Sequence, residues 1–104
     1  MLRITENSSL TLTASFYDVA SALSAPTTAR YRIDDESSGR EVLGWTSLTV
    51  STQVVIAVTA DQNTLLNRTN KVEQRIITVQ ADHGLSSAWS DDYIYEISRL
   101  DGLN

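Results

Sequence analysis

The 104-residue sequence has no cysteine, one histidine, one proline and one lysine. Without cysteine the chain cannot form disulfides, thiolate metal sites, iron–sulfur clusters or a cysteine nucleophile. With His83 as its single histidine, one chain cannot build a metal site that has several histidine ligands. The net charge of −5 argues against binding to nucleic acid or to an anionic membrane surface, because both need a basic patch. We therefore expect neither nucleic acid nor membrane as a partner.

Long apolar runs are also missing. No segment reaches the ~18 consecutive apolar residues of a transmembrane helix. The first residues lack the charged and apolar regions of a secretory signal, so we expect the chain to be made in the cytoplasm and kept intact. The length fits one domain, residues 1–104, because chains divide at roughly 100–200 residues per domain.

The residues that are abundant favour β-strands. Serine and threonine supply 13 and 12 residues, and valine and isoleucine are also frequent. Threonine, valine and isoleucine are β-branched and suit a pleated, half-buried surface. No helix-period segment separates the apolar stretches, which argues against a parallel sheet with crossover helices. The composition therefore predicts an all-β protein.

Alternation of apolar and polar residues places the strands. The period-two pattern predicts seven of them, at residues 2–5, 9–17, 29–34, 40–46, 52–59, 72–81 and 92–100. Val42 and the Gly44-Trp45 pair interrupt the alternation, so we expect a bulge or strand switch there. One of Leu65 and Leu66, in the long connection that follows, should close the end of the core. Short strands with turn signals between them indicate a sandwich or barrel.

A family resemblance narrows this prediction. Over residues 9–100 the chain resembles the immunoglobulin-like or fibronectin type III-like β-sandwich proteins encoded among the structural genes of tailed bacteriophages. The residues that carry the resemblance are Ala25-Pro26, Tyr31-Arg32-Ile33-Asp34, Gly39, Trp45, Val54, Ile56, Val58, the segment 70–79 and Tyr93-Ile94-Tyr95.

The resemblance implies a non-enzymatic virion protein. It would be made in the host cytoplasm and serve as a head decoration or other capsid-associated module. Its partners would be other virion proteins, including capsid or head–tail components, and it would act alone or as a symmetric oligomer. The alternative is an adhesion module that binds carbohydrate or a host surface, for which exposed aromatic residues would stack on sugars.

Catalytic and metal sites have little support in the sequence. His83 could serve as a base, but no Gly-x-Ser-x-Gly nucleophile elbow accompanies it. The acidic runs Asp34-Asp35-Glu36 and Asp91-Asp92 could supply calcium ligands or paired catalytic carboxylates. Like-charge runs are usually exposed, so we expect solvated turns. No enzyme activity, cofactor or metal is predicted.

Candidate partner-binding residues come from two loops and one strand. Leu23, Leu85 and Trp89 lie in the predicted loops 18–27 and 82–90, which a sandwich would place at one end. Arg30 and Arg32 share a predicted outward strand face, and arginine is suited to interfaces. The alternatives are that Trp89 folds back to cap the core and that the arginines are ordinary solvated side chains. For Trp45 we expect packing in the core or at the sheet edge.

Overall fold

A computed structural model describes residues 1–17, 22–67, 69–82 and 88–99, and the chain is all-β. Seven strands form two sheets. The strands are β1 (Leu2–Thr5), β2 (Leu10–Ser15), β3 (Ala29–Asp35), β4 (Glu41–Ser47), β5 (Gln53–Val58), β6 (Val72–Ala81) and β7 (Trp89–Ser98). A short 3₁₀ helix at Asp61–Asn63 lies in the connection between β5 and β6.

The two sheets differ in size. The larger has the strand order β1-β7-β6-β3-β4, and the smaller consists of β2 and β5 alone. The first and last strands pair in parallel, whereas every other pair is antiparallel. The longest ladder joins β6 to β7 over ten residue pairs, and β6 is the middle strand of the larger sheet.

The alternating residues build the core between the sheets. The smaller sheet contributes Val54, Ile56 and Val58 from β5, while Ile33 and Ile77 come from the larger sheet. Successive side chains of a strand point to opposite faces, so the period-two pattern places one set inward and the other toward solvent. Burial of these side chains is the main stabilising contribution to the fold.

All seven predicted strands are present: β1 and β6 have the predicted bounds, the bounds of β2 to β5 differ by one or two residues, and β7 differs most. The predicted strand 92–100 begins instead at Trp89 and ends at Ser98. The pair Asp91-Asp92 concealed the start of the strand, because adjacent charges are typical of turns. The strand nevertheless extends to Trp89 because Ala81, at the end of β6, supplies its partner.

The irregularity predicted in the fourth strand is also confirmed. The pairing of β3 with β4 shifts twice, between Tyr31 and Ile33 and again between Ile33 and Asp34. Each shift leaves one additional residue in β4, as β-bulges do. Of the two leucines expected to close the core, Leu65 is buried and Leu66 is exposed.

Candidate interaction surfaces

The outer face of the larger sheet carries a tryptophan between two arginines. The Cζ atom of Arg30 lies 4.0 Å from the ring centroid of Trp45, and that of Arg32 lies 5.5 Å from it. Both distances are within the ~6 Å over which a cation interacts with an aromatic ring. We call Arg30, Trp45 and Arg32 the Trp45 face. The bulge in β4 brings the ring opposite two successive outward residues of β3.

Further contacts fix both arginines. The Arg30 guanidinium donates two hydrogen bonds, of 3.0 and 2.8 Å, to Oε1 of Gln80 on β6. The Arg32 guanidinium donates to both carboxylate oxygens of Asp34, at 2.8 and 2.7 Å. The hydrogen bond to Asp34 raises the pKa of Arg32, against the opposing effect of desolvation. The Trp45 face is therefore held in one arrangement before any partner binds.

This arrangement suits binding to another protein. Trp45 remains 38% exposed, so part of its ring is available to a partner. Tryptophan and arginine are enriched among the residues that dominate binding energy at interfaces. Side chains that are already ordered lose less conformational entropy on binding than free ones. The sequence prediction that Arg30 and Arg32 share an outward face is confirmed.

Trp89 lies on the other side of the same sheet. It is the first residue of β7 rather than a loop residue, which corrects the sequence prediction. Its ring contacts that of Phe16, with centroids 5.5 Å apart and planes tilted by 52°. It is 36% exposed, so it covers the end of the core and keeps one part in solvent. The alternative that Trp89 folds back on the core is the one the structure supports.

The candidate binding residues that the structure describes do not form one site. In the sheet register Ala81 pairs with Trp89, and its neighbour Gln80 pairs with Arg30. Adjacent residues of a strand face opposite ways, so Trp89 and the arginines lie on opposite faces of the sheet. Leu23 is 50% exposed and forms an isolated bridge with Tyr17. Leu85 and His83 lie outside the described residues.

A buried ionic cluster at the opposite end of the core was not predicted. Arg75 is fully buried on the inner face of β6. Its Nη1 atom donates to Asp35 at 2.7 Å and to Glu73 at 2.8 Å. Its Nη2 atom donates to the carbonyl oxygen of Thr64 at 2.9 Å. We call Asp35, Glu73 and Arg75 the Arg75 cluster; it ties the β3–β4 turn and the β5–β6 connection to the sheet.

Glu73 accepts more than the bond from Arg75. The backbone N–H groups of Leu66 and Asn67 donate to its carboxylate at 2.9 and 3.0 Å, and the side chain of Asn70 donates at 2.8 Å. Burial raises the pKa of a carboxyl group, but these hydrogen bonds outweigh burial, and the pKa of Glu73 lies below its ordinary value. The folded protein therefore favours the ionised form of the Glu73 carboxyl group.

A tyrosine and an asparagine continue this polar end. The Tyr95 hydroxyl donates to Oδ1 of Asn63 at 2.7 Å, and the Asn63 amide donates to the Ser8 carbonyl at 2.8 Å. Burial raises the pKa of Tyr95 to about 12. These contacts connect the 3₁₀ helix to β7 and to the β1–β2 turn. These hydrogen bonds indicate a structural role for Tyr95 and Asn63.

The sequence contained a signal for the Arg75 cluster. Arg75 alternates in phase with Ile77, Val79 and Ala81, which places it among core positions. A buried guanidinium requires paired acids, and Asp35 and Glu73 occupy inward positions of β3 and β6. The expectation of solvated acidic turns is therefore wrong for Asp35, which is only 4% exposed. For the pair Asp91-Asp92 the expected exposure is confirmed, but the pair lies within β7 and not in a turn.

Neither metal chemistry nor relatives identify the protein. Among the described residues, no group of three or more acidic or histidine side chains is placed to hold a metal ion. The described part of the chain contains no helix with the length and apolarity needed to span a membrane. No protein-family model, curated protein or solved structure matches the chain.

Proposed function

We propose that the protein is a non-enzymatic protein-interaction module with an immunoglobulin-like β-sandwich fold, and that it is a structural or accessory component of a tailed phage particle. The particle assignment rests on the sequence resemblance described above. The interaction assignment rests on the Trp45 face.

The strand order supports the immunoglobulin-like fold. In immunoglobulin constant-type domains, strands C, F and G lie in one sheet, while B and E belong to the other. Here β3, β6 and β7 are consecutive neighbours in the larger sheet, and β2 and β5 make up the smaller one. The chain order of these five strands is the same as that of strands B, C, E, F and G.

The observation that carries the proposal is an exposed tryptophan fixed between two anchored arginines. Such a surface has no group positioned as a nucleophile or base. It does present aromatic area and two ordered guanidinium groups, of which that of Arg32 is already paired with Asp34, and ordered tryptophan and arginine side chains suit docking onto another protein. Docking of the Trp45 face onto a neighbouring particle subunit is the mechanism that follows.

Quantitative mass spectrometry of purified particles from the source tests the particle assignment. We expect the chain at a fixed ratio to the major coat protein, reproducible between preparations, because a structural component occupies symmetry-related positions. Absence from the particles, or a ratio that varies between preparations, would reject the assignment.

Carbohydrate binding is the alternative, and a glycan panel separates it from the proposal. Sugar stacking needs an open aromatic face. The guanidinium of Arg30 already lies over the Trp45 ring, and the Trp89 ring contacts Phe16. We therefore expect no glycan on the panel to bind. Binding that is lost in Trp45→Ala would replace the interaction proposal with the carbohydrate one.

A further inference from the structure

One edge of the larger sheet is only half covered. Strand β7 pairs with β6 along its whole length, but β1 pairs with it only at residues 95–98. Within the described ranges, residues 89–94 have no strand on that side. Strand β2 likewise has a partner, β5, on one side alone. The free edges of β2 and β7 therefore lie along the same side of the sandwich.

A groove runs between these two edges. Its wider part has a volume of about 550 Å³ and is lined by Thr13, Ser15, Tyr17, Trp89, Asp91 and Tyr93. At Tyr93 it adjoins a smaller apolar cavity of about 170 Å³. Leucines of β1 and β2 and the buried Ile77 line that cavity. The groove thus offers a mixed polar and aromatic lining with an apolar cavity at one end, beside a backbone edge on which the Asp92 N–H donates to Oδ1 of Asp91 at 2.9 Å.

The open edge has the length of an ordinary strand. Six residues of extended chain span roughly 20 Å, and every second residue directs its N–H and C=O away from β6. Exposed edges of this kind are templates for an additional strand, and proteins commonly protect them with bulges. The opposite edge, β4, carries two such bulges, whereas the ladder of β7 with β6 is regular.

Charge decides between a second copy and a different partner. A second copy related by a two-fold axis would pair its own residues 89–94 with this edge in the antiparallel direction. Residues that pair across adjacent strands lie on the same face of the sheet, so only two registers pair five of these six residues. One register places Asp91 opposite Asp91 of the second copy, and the other places Asp92 opposite Asp92. Directly opposed like charges are destabilising. Asp91 is also the only charged residue among those lining the groove in the described chain.

We infer that the free edge of β7 at residues 89–94 accepts an extended segment of a different protein as an added β-strand. Alternate side chains of that segment enter the groove, and its lysine or arginine residues pair with Asp91 and Asp92. The inference goes beyond the proposed function, because this edge is separate from the Trp45 face and the binding does not require a phage particle.

A random peptide library tests this mode of binding. Ten-residue peptides are selected on the full chain at low salt, and the best are synthesised. We expect apolar residues at groove-facing positions, two adjacent lysine or arginine residues opposite Asp91 and Asp92, and slower amide hydrogen exchange at residues 89–94 when peptide is bound. Methylating alternate backbone nitrogens of the peptide should abolish binding, because an added strand needs those N–H groups.

Matched variants test the role of charge. The double variant Asp91→Asn, Asp92→Asn should weaken peptide binding about fivefold, since each exposed opposite-charge pair contributes up to about 1 kcal/mol. Asp61→Asn, an exposed aspartate on the 3₁₀ helix, should leave affinity unchanged.

The inference is wrong if no peptide is selected, or if protection maps elsewhere. It is also wrong if methylated peptides bind equally well, or if the double variant binds as tightly as the wild type. Protection of residues 89–94 that rises with protein concentration alone would identify a second copy as the occupant instead.

Discussion

Arginines on neighbouring strands of one sheet lie in opposite environments in this protein. Arg75 on β6 faces inward and is fully buried, whereas Arg30 and Arg32 on β3 face outward and are partly exposed. The inner arginine is held by two carboxylates and a backbone carbonyl. The outer pair lies against a tryptophan that is itself partly in solvent. The strand face, rather than the residue type, determines what each arginine does.

The difference follows from solvation. A buried guanidinium has lost its water and depends on its partners, and its removal leaves two buried carboxylates without their cation. An outward guanidinium keeps part of its hydration, and its loss costs the fold little. The inner arginine therefore serves stability, and the outer ones are free to serve recognition. The predictions below separate these roles, beginning with the largest effect.

Replacement of Arg75 should have the largest effect on stability. Arg75→Ala leaves Asp35 and Glu73 buried without their cation, and we expect a loss of about 3–5 kcal/mol in the free energy of unfolding. Urea denaturation measures it. The control is Arg40→Ala, an exposed arginine that should change stability by less than about 0.5 kcal/mol. Equal losses of unfolding free energy in the two variants would show that the Arg75 cluster contributes no more to stability than an exposed arginine does.

Removing the charge of Glu73 should cost less and should change the acid dependence of stability. We expect Glu73→Gln to lose about 2–3 kcal/mol at neutral pH, because hydrogen bonds to a charged group become neutral ones. The folded-state pKa of Glu73 is lowered from its ordinary 4.5. Its stabilisation is therefore present above that value and is lost as pH falls through the lower folded pKa. The difference between wild type and variant should shrink below about pH 4.5.

A second glutamate provides the control for this pH effect. Glu36→Gln changes an exposed side chain on the adjacent turn and should leave both stability and acid dependence unaltered. Denaturation series at several pH values, run on both variants and the wild type, make the comparison. A constant difference between wild type and Glu73→Gln at all pH values would contradict the account of Glu73.

Truncation of Trp45 should affect stability modestly. Trp45→Ala removes the ring beneath Arg30 and Arg32, and a partly exposed cation–π contact contributes about 0.5–1 kcal/mol. Because the buried part of the ring is lost as well, we expect the free energy of unfolding, measured by heat or urea, to fall by about 1–2 kcal/mol. A loss as large as that of Arg75→Ala would mean that the Trp45 face is part of the structural core, and the contrast between the two sheet faces would fail.

The smallest stability effect is expected at Arg30. Arg30→Lys keeps the charge but loses the two-pronged bond to Gln80 and the planar contact with Trp45. We expect a change of about 0.5 kcal/mol or less in urea unfolding. Gln80→Ala, which removes only the acceptor, should give a similar value. A loss above about 2 kcal/mol in either variant would show that the outer face is structural.

Local pattern predicted much of this architecture. Alternation located all seven strands, because the inward residues of each strand must be apolar wherever one face is buried. The broken alternation at Val42 and at Gly44-Trp45 likewise indicated the bulges of β4. The start of β7 was missed because two adjacent aspartates are typical of turns, while the deciding contact, Ala81 with Trp89, is made across a loop.

Long-range pairing could not be derived from the sequence in the same way. Leu2 pairs with Tyr95 in a parallel ladder, and no local pattern links two segments so far apart. Arg75 occupied a core position by phase, and Glu73 lies two residues before it on the same face of β6, but Asp35 becomes its neighbour only after β3 and β6 pair. Arg30 and Arg32 were recognised as outward residues, yet their contact with Trp45 depends on the double bulge in the adjacent strand.

The most direct test of the central claim, that the outer face serves recognition, uses particles assembled without the chain. Wild-type protein and two variants are added, and the bound fraction is measured. Trp45→Ala should weaken binding about 30-fold, as loss of an interface hot spot does. The matched control Val55→Ala, an exposed apolar residue on the smaller sheet, should bind as the wild type does. Equal binding by the wild type and folded Trp45→Ala would contradict the claim.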